Sequence, residues 1–99
     1  MENKIVTLVV LFKTKEDKRD EFLKEFSKVM EITRKEDGCI DYDLHQDVHD
    51  TNMFVLTEHW ENYDLWQKHM VAEHIEKYSE ISKDFFVEKT LYELSKMGI

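Results

Sequence analysis

The stretch Ile5 to Lys13, IVTLVVLFK, is apolar on both faces of an extended chain and stands in a polypeptide of only 99 residues. Consecutive β-branched residues favour a strand, and a strand without a polar face must be covered on two sides. A chain of this length buries roughly 60–68% of its unfolded surface, which supports one core and one domain, residues 1–99. Its helices can cover one face of a sheet, and no chain is left for the other. A second copy laid sheet against sheet would close that face, so the sequence predicts a homodimer.

The remaining segments fall into a regular order. Thr14 and Asp17 have the spacing of a capping-box variant. Phe22, Phe26, Met30 and Thr33, joined by Leu23 and Val29, repeat at helical spacing to about Lys35, and Asp37-Gly38 ends the helix. Cys39 to Gln46 alternates, with Ile40, Tyr42 and Leu44 on one side and Asp41, Asp43 and His45 on the other. After a turn-rich connector at 47–52, Met53 to Trp60 forms a second hairpin strand with Phe54, Leu56, Glu58 and Trp60 on one side. Asn62 caps a short helix with Leu65, Trp66 and His69 on one stripe. A break is expected at Val71-Ala72. The next helix carries Ile75, Tyr78, Ile81 or Ser82, and Phe85, and Val87 to Leu94 closes as a fourth strand. This is an α+β chain in the ferredoxin-like order β-α-β-β-α-β, with the second helix split.

Composition excludes several function classes. The formal net charge is -8, and the only arginines are Arg19 and Arg34. Such a chain repels polyanions, so no nucleic-acid partner is expected. The longest apolar run, Ile5 to Phe12, is too short to span a bilayer, and no membrane association is expected. A single cysteine, Cys39, can neither staple a fold nor build a zinc site. With no secretory pattern at the start, a reducing, cytoplasmic setting is expected. There is no glycine-rich phosphate loop and no nucleophile elbow. Of the five histidines, His45, His49, His59, His69 and His74, no two stand four apart on one helix, and no metal site is expected.

Three segments, DGCIDYDLHQD, NMFVLTEHWEN and LWQKHMVAEHIEKYS, together resemble the antibiotic-biosynthesis-monooxygenase family, in particular its quinol-monooxygenase-like branch. The resemblance rests on Gly38-Cys39 before a Tyr-bearing strand, the Phe-Val-Leu-x-Glu-x-Trp strand, and the spacing of His69 and His74. It implies a dimeric α+β barrel and, for several members, oxygenation with neither metal nor flavin. The family's haem-degrading branch is not matched: its Asn, Trp and His positions correspond here to Thr7, His69 and Ser79, and a serine cannot replace the haem-ligating histidine.

Cofactor-free oxygenation needs a base near neutral pH, a dry pocket and flat walls for an aromatic ring. Histidine is the natural base. His69, on the apolar stripe, is the candidate, with Glu58 as the buried carboxyl that orients it or polarises a substrate hydroxyl. Tyr42, Trp60, Trp66, His74 and Tyr78 are candidate substrate contacts, and His74 is also a candidate cap for the following helix. The implied reaction takes molecular oxygen as co-substrate and a small quinol-like or polycyclic phenol as substrate, with no cofactor. Two other classes stay open. The same base would serve an isomerase or lyase acting on a small carbonyl metabolite, and the fold would also serve a non-catalytic ligand-binding dimer.

Overall fold

The alternating burial of Leu8, Val10, Phe12 and Thr14 against Thr7, Val9, Leu11 and Lys13 makes Val6–Thr14 the central ribbon of the structure, β1. A computed structural model describes residues 4–99. After β1, a single 3₁₀ turn at Glu16–Lys18 leads into α1, Arg19–Thr33. The hairpin strands β2 and β3 span Cys39–Gln46 and Met53–Trp60. The split helix is α2, Tyr63–Met70, and α3, Glu73–Ile81, and Phe86–Leu94 forms β4. The four strands are antiparallel in the order β2-β3-β1-β4, the ferredoxin-like arrangement.

Register fixes the two faces. Val10 pairs with Leu56 on one side and Leu91 on the other. The face holding Leu8, Val10, Phe12, Leu56 and Trp60 lies under the helices. There Phe12, Phe22, Phe26, Phe54 and Phe86 form a mutually packed aromatic cluster, with ring centroids 5.1–5.6 Å apart. The opposite face presents Val9, Leu11, Val55, Tyr92 and Leu94, and Tyr92 and Leu94 are close to half exposed at 47% and 46%.

Four local expectations are corrected. Thr14 makes no helix cap; its hydroxyl donates to the carbonyl of Asn52 at 3.4 Å, because it still belongs to β1. Ile40 is 48% exposed, since the β2–β3 register slips between Cys39 and Asp41 and turns it out of the buried row. Leu23 lies at the exposed margin of α1. Phe85 is buried but sits in the turn after α3, not on it. The break at Val71-Ala72 falls where the sequence places it.

Candidate functional site

A cavity of about 460 Å³ opens between the sheet and the α2–α3 pair. Its floor is Val10, Phe12, Leu56 and Leu91, and its helical wall is Met70, Ile75 and Tyr78. At one end Tyr42, paired with Glu58 across the hairpin, stands beside His69, and all three line it; Glu76, Ser79 and Lys89 are its other polar wall residues. Cavities of this size and mixed lining are the usual places for small ligands.

His69 reaches that end because Asn62 caps α2: the Asn62 side chain accepts from the Leu65 backbone N–H at 2.9 Å and fixes the helix start. The next turns then bury Trp66 and His69, three residues apart, on one stripe. The His69 ring lies 4.7 Å from the Trp60 ring and 5.5 Å edge-on to Tyr42, centroid to centroid. Its Nδ1 is 2.7 Å from Glu36 Oε1, so Nδ1–H donates to the carboxylate. That leaves Nε2 as the unprotonated nitrogen. Burial lowers the His69 pKa from the ordinary histidine value; the Glu36 carboxylate opposes this without reversing it, and His74 adds to the lowering. The ring is therefore neutral near neutral pH and poised to take a proton.

Glu58 does not orient His69. Its Oε1 accepts from Trp60 Nε1–H at 2.9 Å, and Trp60 is fully buried in the core behind it. Burial, with the Glu36 charge added, pushes the Glu58 carboxyl up to about 7, against the pull of the Trp60 bond. Glu58 is therefore a neutral hydrogen-bond donor over much of the acidic range.

The other expected site residues divide. Tyr42 and Tyr78 line the cavity, and both phenols are raised chiefly by burial. The Tyr78 hydroxyl is buried with no hydrogen-bond partner among the described residues. Trp60 and Trp66 are core residues outside the cavity wall, and Trp66 packs edge-on to Tyr63. His74 does not cap α3, which starts after Ala72; its Nε2 is 3.0 Å from Thr33 Oγ1 and 3.2 Å from Glu36 Oε1. Burial and the carboxylates of Glu36, Glu58 and Asp41 push the Cys39 thiol up to about 11, which keeps it protonated and inert.

The wall residues Met70, Glu76, Lys89 and Leu91 and the orienting Glu36 are not singled out by the sequence, and Ser79 enters there only as the counterpart of a haem-ligating histidine. Lys89 has its ammonium 5.9 Å from the centroids of both Phe12 and Phe86. Glu36 lies just beyond α1 among other charges, and nothing local marks it. One ligand atom from each of Glu36, His69 and His74 lies within 4.8 Å of the others, so these three residues could hold a metal ion. The helical-step test that argued against a metal does not apply, because His69 and His74 meet from two different helices.

No helix among the described residues is long and apolar enough to cross a membrane. Comparison with known proteins agrees with this architecture. The chain is 32% identical over 72 residues to the "Putative monooxygenase YcnE" of Bacillus subtilis, covering 73% of this chain and 76% of that one. It is 28% identical over 86 residues to the uncharacterised protein sll1783 of Synechocystis, covering 87% of this chain but 58% of that one. Two solved structures share the fold. PA3566 from Pseudomonas aeruginosa has a TM-score of 0.89 at 24% identity, covering 96% of each chain. Rv0793 from Mycobacterium tuberculosis has a TM-score of 0.90 at 21% identity, covering 97% of this chain and 98% of its own. With the antibiotic biosynthesis monooxygenase model matching residues 5–81, the chain belongs to that family.

Proposed function

We propose that this protein is a cofactor-independent monooxygenase for a small quinol-like or polycyclic phenol, bound in the cavity between the sheet and the split helix. The observation that carries the reading is the Glu36–His69 pair at 2.7 Å, with His69 lining a cavity whose floor is apolar.

His69 Nε2 takes the phenolic proton, and Glu36 steadies the imidazolium that forms. The anion gives one electron to O₂, and recombination of the radical pair forms a ring C–O bond as a hydroperoxide. Loss of water from that group leaves a ring carbonyl, so one oxygen atom enters the product and the other leaves as water. The hydroperoxide takes the proton held by His69, the ring C–H hydrogen leaves with the water, and all four electrons that reduce O₂ come from the substrate, so no outside reductant is needed. Neutral Glu58 donates a hydrogen bond to the second substrate oxygen. Val10, Leu56 and Leu91 keep bulk water from the radical pair.

The working unit in this reading is a homodimer. Val9, Leu11, Val55, Tyr92 and Leu94 form an apolar sheet face without a helix over it, and a second copy would bury it.

Oxygen uptake on addition of an aerobic quinol, abolished in His69→Ala with circular dichroism unchanged, is the expected result. Normal turnover by that variant would refute the assignment of the base. Turnover that persists under argon would replace oxygenation with proton-abstraction chemistry on a carbonyl substrate.

A further inference from the structure

Beside the cavity, Glu36 in the turn after α1 meets His69 on α2 and His74 on α3, the two sides of the helix break. Two imidazole nitrogens address the same carboxylate oxygen: His69 Nδ1 at 2.7 Å and His74 Nε2 at 3.2 Å from Glu36 Oε1. One histidine is enough to fix a tautomer, so the second is surplus to that task. In an octahedral complex with metal–ligand bonds of about 2.1 Å, neighbouring ligand atoms sit about 3 Å apart. The two distances here straddle that spacing. Among the described residues this is the one group of three His, Cys, Asp or Glu ligands so arranged. The cluster is sheltered but reachable, with side-chain exposures of 3% for His69, 14% for His74 and 20% for Glu36.

We propose that Glu36, His69 and His74 form a binding site for one divalent transition-metal ion, with the remaining coordination positions left to water. Two imidazoles and one carboxylate favour borderline ions such as Zn²⁺, Co²⁺ or Fe²⁺ over Mg²⁺ or Ca²⁺, which prefer all-oxygen sets. Binding displaces the proton that His69 Nδ1 shares with Glu36. The metal-bound imidazole then carries its remaining proton on Nε2, the nitrogen that faces catalysis. Metal occupancy and use of His69 as a base therefore exclude each other, and a bound ion switches the base off. This last consequence rests on the reading of His69 as the base; the site itself does not.

The test uses the full chain, prepared without a histidine tag and stripped with chelator. Titration with Zn²⁺ by calorimetry is expected to give one site per chain, and Co²⁺ is expected to give visible ligand-field bands. His74→Ala and Glu36→Gln should each weaken binding about 10–100-fold, while His49→Ala, in the exposed connector, leaves it unchanged. In the unaltered protein, imidazole ¹⁵N spectra should show Zn²⁺ shifting His69 Nδ1 and His74 Nε2 together. Absence of stoichiometric binding, equal affinity in all three variants, or ¹⁵N shifts confined to other histidines would overturn the site. Stoichiometric Zn²⁺ binding that leaves quinol oxidation untouched would keep the site and refute His69 as the base.

Discussion

Glu36 and His69, 33 residues apart in sequence, meet at 2.7 Å through Oε1 and Nδ1, and this contact joins the turn after α1 to the last turn of α2. A carboxylate that receives Nδ1–H fixes which imidazole nitrogen is the base. Glu36→Gln keeps the shape but can turn an amide N–H toward Nδ1, which favours the opposite tautomer. The variant is expected to lower kcat by about 10²–10³-fold with little change in KM, compared with about 10²–10⁴-fold for His69→Ala. Initial rates of oxygen consumption across substrate concentrations separate the two parameters. A Glu36→Gln enzyme with full kcat would remove Glu36 from the mechanism.

The two groups facing the substrate set opposite limits on pH. His69 must be neutral, and burial lowers its pKa from the ordinary histidine value, so activity should fall only at a pH below the one at which a solvated histidine titrates. Glu58 donates only while protonated, and its carboxyl is pushed up to about 7, so activity should also decline above that point. A bell-shaped kcat profile follows, and Glu58→Gln should flatten only its alkaline limb. Loss of the acidic limb in Glu58→Gln would reverse the two assignments.

Glu58 also bears on stability. Its carboxyl ionises near 4.5 when solvated and near 7 in the fold. Below pH 4.5 it is protonated in both states and costs nothing. As pH rises, the unfolded chain loses that proton first, so the folded state is progressively disfavoured until Glu58 ionises there too. The penalty at pH 8 is roughly 3 kcal/mol. Glu58→Gln keeps an acceptor for Trp60 Nε1. It should raise stability by up to about that amount at pH 8 and by little at pH 4. Urea unfolding of both proteins at the two pH values measures the difference. An equal effect at both would mean that Glu58 is not held neutral.

Periodicity made the fold readable, while the site depended on contacts that periodicity does not report. Strand β2 and the α2 stripe carry periods that residue type reports, so the inward side chains of Tyr42 and His69 follow from them, whereas β1 is apolar on both faces and only packing shows which one the helices cover. Ile40 failed because a register slip reverses alternation without any local marker. Trp60 and Trp66 were assigned to the cavity because aromatic spacing marks burial and cannot separate core from wall. Glu36 was missed because a carboxylate among charged neighbours acquires meaning only when α2 and α3 close over it. His74 carries a signal in its spacing from His69, but its partners are Thr33 at the end of α1 and Glu36 just beyond it.

The open sheet face gives a prediction about assembly. Leu11 points away from the helices between Val55 and Thr90, near the centre of that face. Leu11→Glu would place a charge there at small cost to an isolated subunit, but an interface would have to bury it. Sedimentation velocity should show a dimer for the unaltered chain and a monomer of native helix content for the variant. A monomer in both cases would refute the dimer.

Gly38 governs how closely α2 approaches the end of α1. Its φ of 85° lies in the left-handed region. A Cβ built there would fall 2.5 Å from Leu65 Cδ1 and 2.7 Å from Leu65 Cβ. The Cδ1 could rotate away, but Leu65 Cβ moves only with the helix backbone, and that backbone also carries Trp66 and His69. Gly38→Ala therefore combines backbone strain with displacement of α2, and should cost about 2–4 kcal/mol. Because Glu36 stands two residues before Gly38, the displacement also lengthens the contact that fixes the His69 tautomer. Gly38→Ala should thus lose turnover even at temperatures where it remains folded. Adding Leu65→Ala removes the Cδ1 overlap but not the positive φ, so the double variant should recover part of the loss relative to Leu65→Ala alone. A Gly38→Ala protein with native stability and native kcat would show that the α1–β2 turn does not set the position of His69.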